Sequence, residues 1–173
     1  MVMVKVLQQK QLYKFQMKTF TNIFVSLFYV GYIKYFPGTF GSLFSLIILF
    51  PVVALNLISI KLFILIFIII FILSIFFINK FSYYTKTNDS NIIIIDEFLG
   101  IYFILIFYEL IYFVNAGYTI LLIFLLFRFF DILKIFPANL IDKKIKNPFG
   151  VILDDIIASI YTVIIIYMLN VYN

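Results

Sequence analysis

The chain has 173 residues, 65% of them hydrophobic and only 12% charged, with a mean hydropathy of +1.18. Soluble domains are about 45–50% apolar and about 25% charged, so the composition excludes an ordinary soluble domain and points to an integral membrane protein folded as one compact bundle. With no Cys, His or Trp, the chain has no disulfide, no Cys/His zinc site and no cysteine or histidine nucleophile, which leaves any catalysis to carboxylates, hydroxyls, Lys and Arg beside a hard metal ion.

Residues 1–18 form a basic extension carrying Lys5, Lys10, Lys14 and Lys18, and 19–173 reads as a single membrane domain. Met17 is an alternative start. From it, the segment through Tyr32 has a charged beginning and an apolar core without a small-residue cleavage site, as in an uncleaved first helix. Phe36-Pro37-Gly38-Thr39-Phe40-Gly41-Ser42 is the densest turn signal, with Thr39 or Ser42 placed to cap the helix that follows. Ser42–Ile60 is long enough to cross a bilayer, with Pro51 as a kink, and Leu62–Ile78 makes a second crossing after a turn at Lys61.

Asn79–Asn91 is polar and leads through Ile92–Ile95 into Asp96-Glu97. Phe98–Val114 is expected to be a third crossing, with Glu109 buried inside it and facing the bundle interior. After a turn at Asn115–Gly117, Tyr118–Phe127 spans only about 15 Å if helical. Pro137–Gly150 is a loop with Lys143, Lys144 and Lys146, and Asp154-Asp155 opens a last helix to about Asn170. The expectation is an all-α polytopic bundle of four to five crossings.

The net charge of +5 is no nucleic-acid signal, because the lysines flank the apolar runs, where they set orientation and meet anionic headgroups. The positive-inside rule places the N-terminal segment and the 79–91 and 134–146 loops in the cytoplasm, provided 118–127 counts as a crossing. The Pro-Gly-Thr turn, Asp96-Glu97, Arg128–Lys134 and Asp154-Asp155 then converge on the cytoplasmic face.

Each cluster alone has a plain explanation. An acidic pair before an apolar helix suits a cap or a helix dipole, and Arg128 with Asp131 suits an ion pair. Capping needs one acid per helix, however, and a second adds repulsion unless a cation is near. Asp96, Glu97, Asp131, Asp154 and Asp155 on one face make an oxygen-rich site of the kind Mg²⁺ prefers. Arg128, the only arginine, and Lys134 suit phosphate oxygens, and Thr39, Ser42 and the N–H groups after Gly38 can add donors. Asp131 is read as a shared metal ligand rather than the partner of Arg128. This chemistry is phosphoryl transfer or hydrolysis on a lipid. The alternative is a small transporter or non-catalytic membrane subunit, with Glu109 lining a pathway.

Four ordered motifs, Pro37-Gly38-Thr39-Phe40-Gly41-Ser42, Ile94-Ile95-Asp96-Glu97-Phe98-Leu99-Gly100, Phe127-Arg128-Phe129-Phe130-Asp131-Ile132-Leu133-Lys134 and Ile152-Leu153-Asp154-Asp155-Ile156-Ile157-Ala158, resemble the phosphatidylglycerophosphatase A family from about Gly31 to Tyr161. The resemblance implies a helical fold around a central helix and Mg²⁺-dependent removal of the terminal phosphate of phosphatidylglycerophosphate. It also implies the bacterial cytoplasmic (inner) membrane as the location and membrane lipids as surroundings, with no nucleic acid and no obligate protein partner. Carried over by position, Asp96, Asp131 and Asp155 are catalytic and all five acids are metal ligands, while Thr39, Ser42, Arg128 and Lys134 hold phosphate. The chain departs from the family at Lys134-Ile135, where Lys-Pro is usual, near Lys34, where a proline is usual, and at Asn147-Pro148-Phe149-Gly150, which replaces a glycine-rich turn.

Overall fold

A computed structural model describes residues 17–87, 90–113 and 115–172. Apart from residues 17–18, the basic extension expected over 1–18 lies outside them. The helices are α1 (17–25), α2 (Pro37–Ala54), α3 (Ile60–Thr85), α4 (Ile95–Ile106), α5 (Tyr108–Ile111), α6 (Ala116–Leu133), α7 (Ala138–Lys144) and α8 (Pro148–Val171). No strand occurs among the described residues.

Four helices, α2, α3, α6 and α8, are long and apolar enough to cross a membrane. Their outward faces carry exposed large apolar side chains, among them Ile47, Ile68, Ile72, Phe76, Leu125 and Ile164. In water such a surface would be costly, whereas lipid tails match it. The chain is therefore an all-α, multi-pass membrane bundle.

The expected third crossing, 98–114, is a broken one: α4 ends at Ile106 and α5 covers only Tyr108–Ile111, and together they carry the chain from the end where α4 begins to the end where α6 begins. Twelve-residue α4 is about 18 Å long, against a hydrocarbon core of about 30 Å. It is packed against α2, α3, α6 and α8, and none of its residues is exposed. Tyr102 donates to the carbonyl of Phe63 on α3 at 3.0 Å. At Gly100, an added Cβ would stand 2.6 Å from the Phe127 ring and 3.0 Å from Ser159 Oγ. Ser159 Oγ lies 2.8 Å from the Gly100 carbonyl oxygen and 2.7 Å from that of Asp155, so one hydroxyl proton serves two helices. Glu109 is exposed rather than facing the bundle interior, because α4 ends at Ile106 and α5 turns beside the connection between α2 and α3.

Other boundaries also move. α2 starts at Pro37, a favoured first helical position, after Phe36 in a left-handed conformation (φ 51°, ψ 51°) and without a side-chain cap. α3 runs on through Thr85, into the stretch expected to be a polar loop, and Lys80 lies 5.0 Å from the Phe76 ring centroid. α6 continues past Phe127 to Leu133, so the short crossing is a full 18-residue helix. α8 begins six residues before Asp154, where Asn147 Oδ1 accepts from Gly150 N at 2.9 Å.

The Gly100 contact yields a direct prediction. Gly100→Val forces a branched side chain into Phe127 and Ser159, and overpacking of this kind costs about 1–3 kcal/mol. Thermal unfolding in detergent should show a lowered midpoint; an unchanged midpoint would mean that α4 is not seated here.

Candidate active site

α2, α4 and α8 begin, and α6 ends, at the same end of the bundle. There they enclose an open cavity of about 720 Å³ lined by Asp96, Glu97, Arg128, Asp131, Lys134, Asp154 and Asp155, with Lys34, Gly38, Lys146 and Gly150 among its other walls. Five of the chain's eight acidic residues share this space.

Asp96 and Glu97 lie in the first turn of α4, where the helix dipole favours negative charge. Asp96 Oδ1 accepts from Glu97 N at 3.1 Å. Arg128 and Asp131 are one turn apart on α6, and Arg128 Nη1 donates to Asp131 Oδ2. The same Nη1 is 3.7 Å from Glu97 Oε1, a charge contact rather than a hydrogen bond. Lys134 terminates α6 in a left-handed conformation and donates from Nζ to Asp154 Oδ2 at 2.7 Å. Gly38 closes this side: a Cβ there would lie 2.2 Å from Glu97 Oε1 and 3.0 Å from Arg128 Nη1.

The remaining acids form a second group. Asp96, Glu97 and Asp155 each offer a carboxylate oxygen, and these oxygens lie within 4.8 Å of one another. Burial, followed by repulsion from Glu97, Asp154 and Asp131, pushes Asp96 well above the ordinary carboxylate range. Burial and the charges of Asp155 and Asp131 lift Glu97 to about 8, against a hydrogen bond with Asp96 and the charge of Arg128. Buried Glu97 Oε2 and Asp155 Oδ2 find no hydrogen-bond partner among the described residues.

This donor set fits a hard divalent cation: it is all oxygen, anionic and incompletely hydrogen-bonded. Mg²⁺ binds oxygens at about 2.1 Å, so opposed ligands stand about 4.2 Å apart. Only one pair of three ligands can be opposed and adjacent ones stand about 3 Å apart, so the trio must draw closer or bind one ligand through water.

The sequence-derived residues thus divide. Asp96, Glu97 and Asp155 come together. Asp131 and Asp154 line the same cavity and pair with Arg128 and Lys134, while Asp131 also lies beside Asp155 of the trio. Ser42 is fully buried, and its hydroxyl donates to the Gly38 carbonyl at 2.8 Å. Neither Ser42 nor Thr39, in the first turn of α2, is among the residues lining the cavity. Lys34 and Lys146 do line it, yet in sequence they look like any other lysine flanking an apolar run.

Residues 23–170 match the family described as Phosphatidylglycerophosphatase A. The chain is also similar to a Haemophilus influenzae protein named Phosphatidylglycerophosphatase A, with 36% identity over 140 residues, covering 81% of this chain and 82% of the relative. No solved structure matches the chain.

The crowded acids make stability depend on pH. Between 4.5 and about 8 the folded chain keeps a proton on Glu97 that the unfolded chain releases, so stability falls as pH rises through that window. The thermal midpoint of metal-free protein should drop across it; a midpoint that climbs instead would contradict the crowding.

Proposed function

We propose that this chain, which belongs to the phosphatidylglycerophosphatase A family, hydrolyses the terminal phosphate monoester of phosphatidylglycerophosphate in a Mg²⁺-dependent reaction that yields phosphatidylglycerol and phosphate. The observation that carries this reading is the meeting of Asp96, Glu97 and Asp155 with Arg128 and Lys134 in one cavity at the end of a membrane bundle. A lipid phosphate is anchored at that level by its acyl chains.

Asp96, Glu97 and Asp155 would hold Mg²⁺, which supplies charge neutralisation and a more acidic bound water. Arg128 and Lys134 meet the phosphate oxygens, the first through its planar fork and the second as a point charge. Arg128 Nε has no partner among the described residues and is available for that contact. Asp131 and Asp154 hold the two cations in place until phosphate arrives. The N-terminal ends of α2 and α8, whose Gly38 and Gly150 line the cavity, add partial positive charge. Hydrolysis requires water to attack phosphorus as the P–O bond to the glycerol breaks, with a proton passing from that water by way of one of Asp96, Asp131 or Asp155 to the leaving glycerol oxygen. A hydrolase needs no pathway through the bundle, and exposed Glu109 at the opposite end provides none.

The charge pattern supports a cytoplasmic site in the bacterial inner membrane. Among the described basic residues, all but Lys61 belong to the half of the bundle that holds the cavity, and the positive-inside rule assigns such an end to the cytoplasm.

Phosphate release from phosphatidylglycerophosphate by the purified protein tests the proposal. Release should require Mg²⁺ and should fall about 100-fold or more in Asp96→Asn or Asp155→Asn. Ser42→Ala, which loses only the hydroxyl bonded inside α2, should keep its activity. A wild-type protein that releases no phosphate with Mg²⁺, or an Asp96→Asn variant at full rate, would overturn the proposal.

A further inference from the structure

Four cations line the cavity, and they differ in kind. Arg128 and Lys134 are bound to carboxylates of the inner cluster. Lys34 and Lys146 are exposed, line the same cavity, and form no ion pair among the described residues. An ammonium that faces an acid-lined cavity without taking an acid as partner is available to an anionic ligand.

Both lysines extend from anchored main chain. Gly31, three residues before Lys34, lies so close to the connection into α4 that a Cβ would meet the Ile92 carbonyl oxygen at 2.1 Å. The Gly31 N–H donates to the Ser26 carbonyl at 3.0 Å. On the other side, a Cβ at Gly150 would meet the carbonyl oxygen of Ile145, the residue before Lys146, at 1.9 Å. Asn147 Oδ1 accepts from Gly150 N and fixes the start of α8 directly after Lys146. The side chains can move, but their points of attachment are set by close backbone contacts.

The cavity is also larger than one phosphate requires. About 720 Å³ falls in the range of sites for drug-sized ligands. The proposed substrate has two phosphates separated by a glycerol: a terminal monoester and a diester that joins it to the diacylglycerol. With the monoester at Arg128 and Lys134, the diester lies one glycerol unit outward and carries a negative charge that the inner acids would repel. Resting on the function proposed above, we propose that Lys34 and Lys146 form a second phosphate subsite at the cavity mouth, which holds the diester and selects a lipid with two phosphates over a lipid monophosphate such as phosphatidic acid.

The test compares kcat/KM for phosphatidylglycerophosphate and phosphatidic acid in mixed micelles of fixed surface charge, in the full-length wild type, K34Q and K146Q. Each substitution should lower the ratio of the two values about fivefold to tenfold, through KM, as expected for loss of a charge-assisted contact at a partly solvated site. Equal losses on both substrates, the result if the lysines serve only general attraction to an anionic surface, overturn the subsite. An unchanged ratio overturns it as well.

A second measurement is independent of turnover. Calorimetric titration of metal-free protein with glycerol 1,3-bisphosphate and with glycerol 3-phosphate should show tighter binding of the bisphosphate, and this preference should vanish in K34Q and K146Q. A preference that survives both substitutions contradicts the subsite. If the preference depends on the lysines but the wild type releases no phosphate, the subsite stands and the hydrolase reading fails.

Discussion

The seating of α4 against α8 at Gly100 sets the distance on which the site depends. Asp96 and Glu97 begin one turn before this contact on α4, and Asp155 lies one turn before Ser159 on α8. Ser159 touches the carbonyl oxygens of both Gly100 and Asp155, and Phe127 of α6 presses on the same glycine. A larger residue at position 100 would part the helices and with them the carboxylates. A helix too short to span the membrane can occupy this central place because neighbouring helices, rather than lipid, surround it. Its beginning, not its middle, then reaches the polar end of the bundle.

The charges follow from that geometry. Three carboxylates are held close together, and the two inner cations are already committed to Asp131 and Asp154. The acids respond to burial and mutual repulsion by holding protons more tightly. A divalent cation bound there would relieve the same repulsion without protonation and would couple metal binding to stability. The arrangement separates two tasks within one cavity: the trio on α4 and α8 is suited to the metal, and the cations of α6 to the phosphate. Gly38 allows the start of α2 to close against both.

Much of this was legible in the sequence, and the parts that were not have identifiable physical causes. Hydropathy separated membrane from soluble class, and the order of the polar clusters along alternating crossings placed them at one end. Hydropathy does not show where a helix breaks, so 98–114 read as one unbroken crossing and Glu109 as an interior group, whereas the break after Ile106 leaves Glu109 exposed. Ser42 looked like a cap because serine is common there, but the same hydroxyl can donate to a carbonyl four residues back, as it does to Gly38. Asp154-Asp155 looked like a helix start, although Asn147 supplies the cap seven residues before Asp154. Asp131 lies three residues from Arg128, a spacing compatible with either an ion pair or a metal site, and its side chain lies beside both Arg128 and Asp155. Lys34 and Lys146 gave no signal because their chemistry depends on the cavity they share.

The central claim is that Asp96, Glu97 and Asp155 make one site for a hard cation. Crystals of the protein grown with Mn²⁺ in place of Mg²⁺ would test it most directly, through the anomalous scattering of the metal. The account predicts a peak within about 2.5 Å of oxygens from these residues, with at most one of them joined through water. A peak held instead by Asp131 and Asp154, or no peak in the cavity, would contradict it.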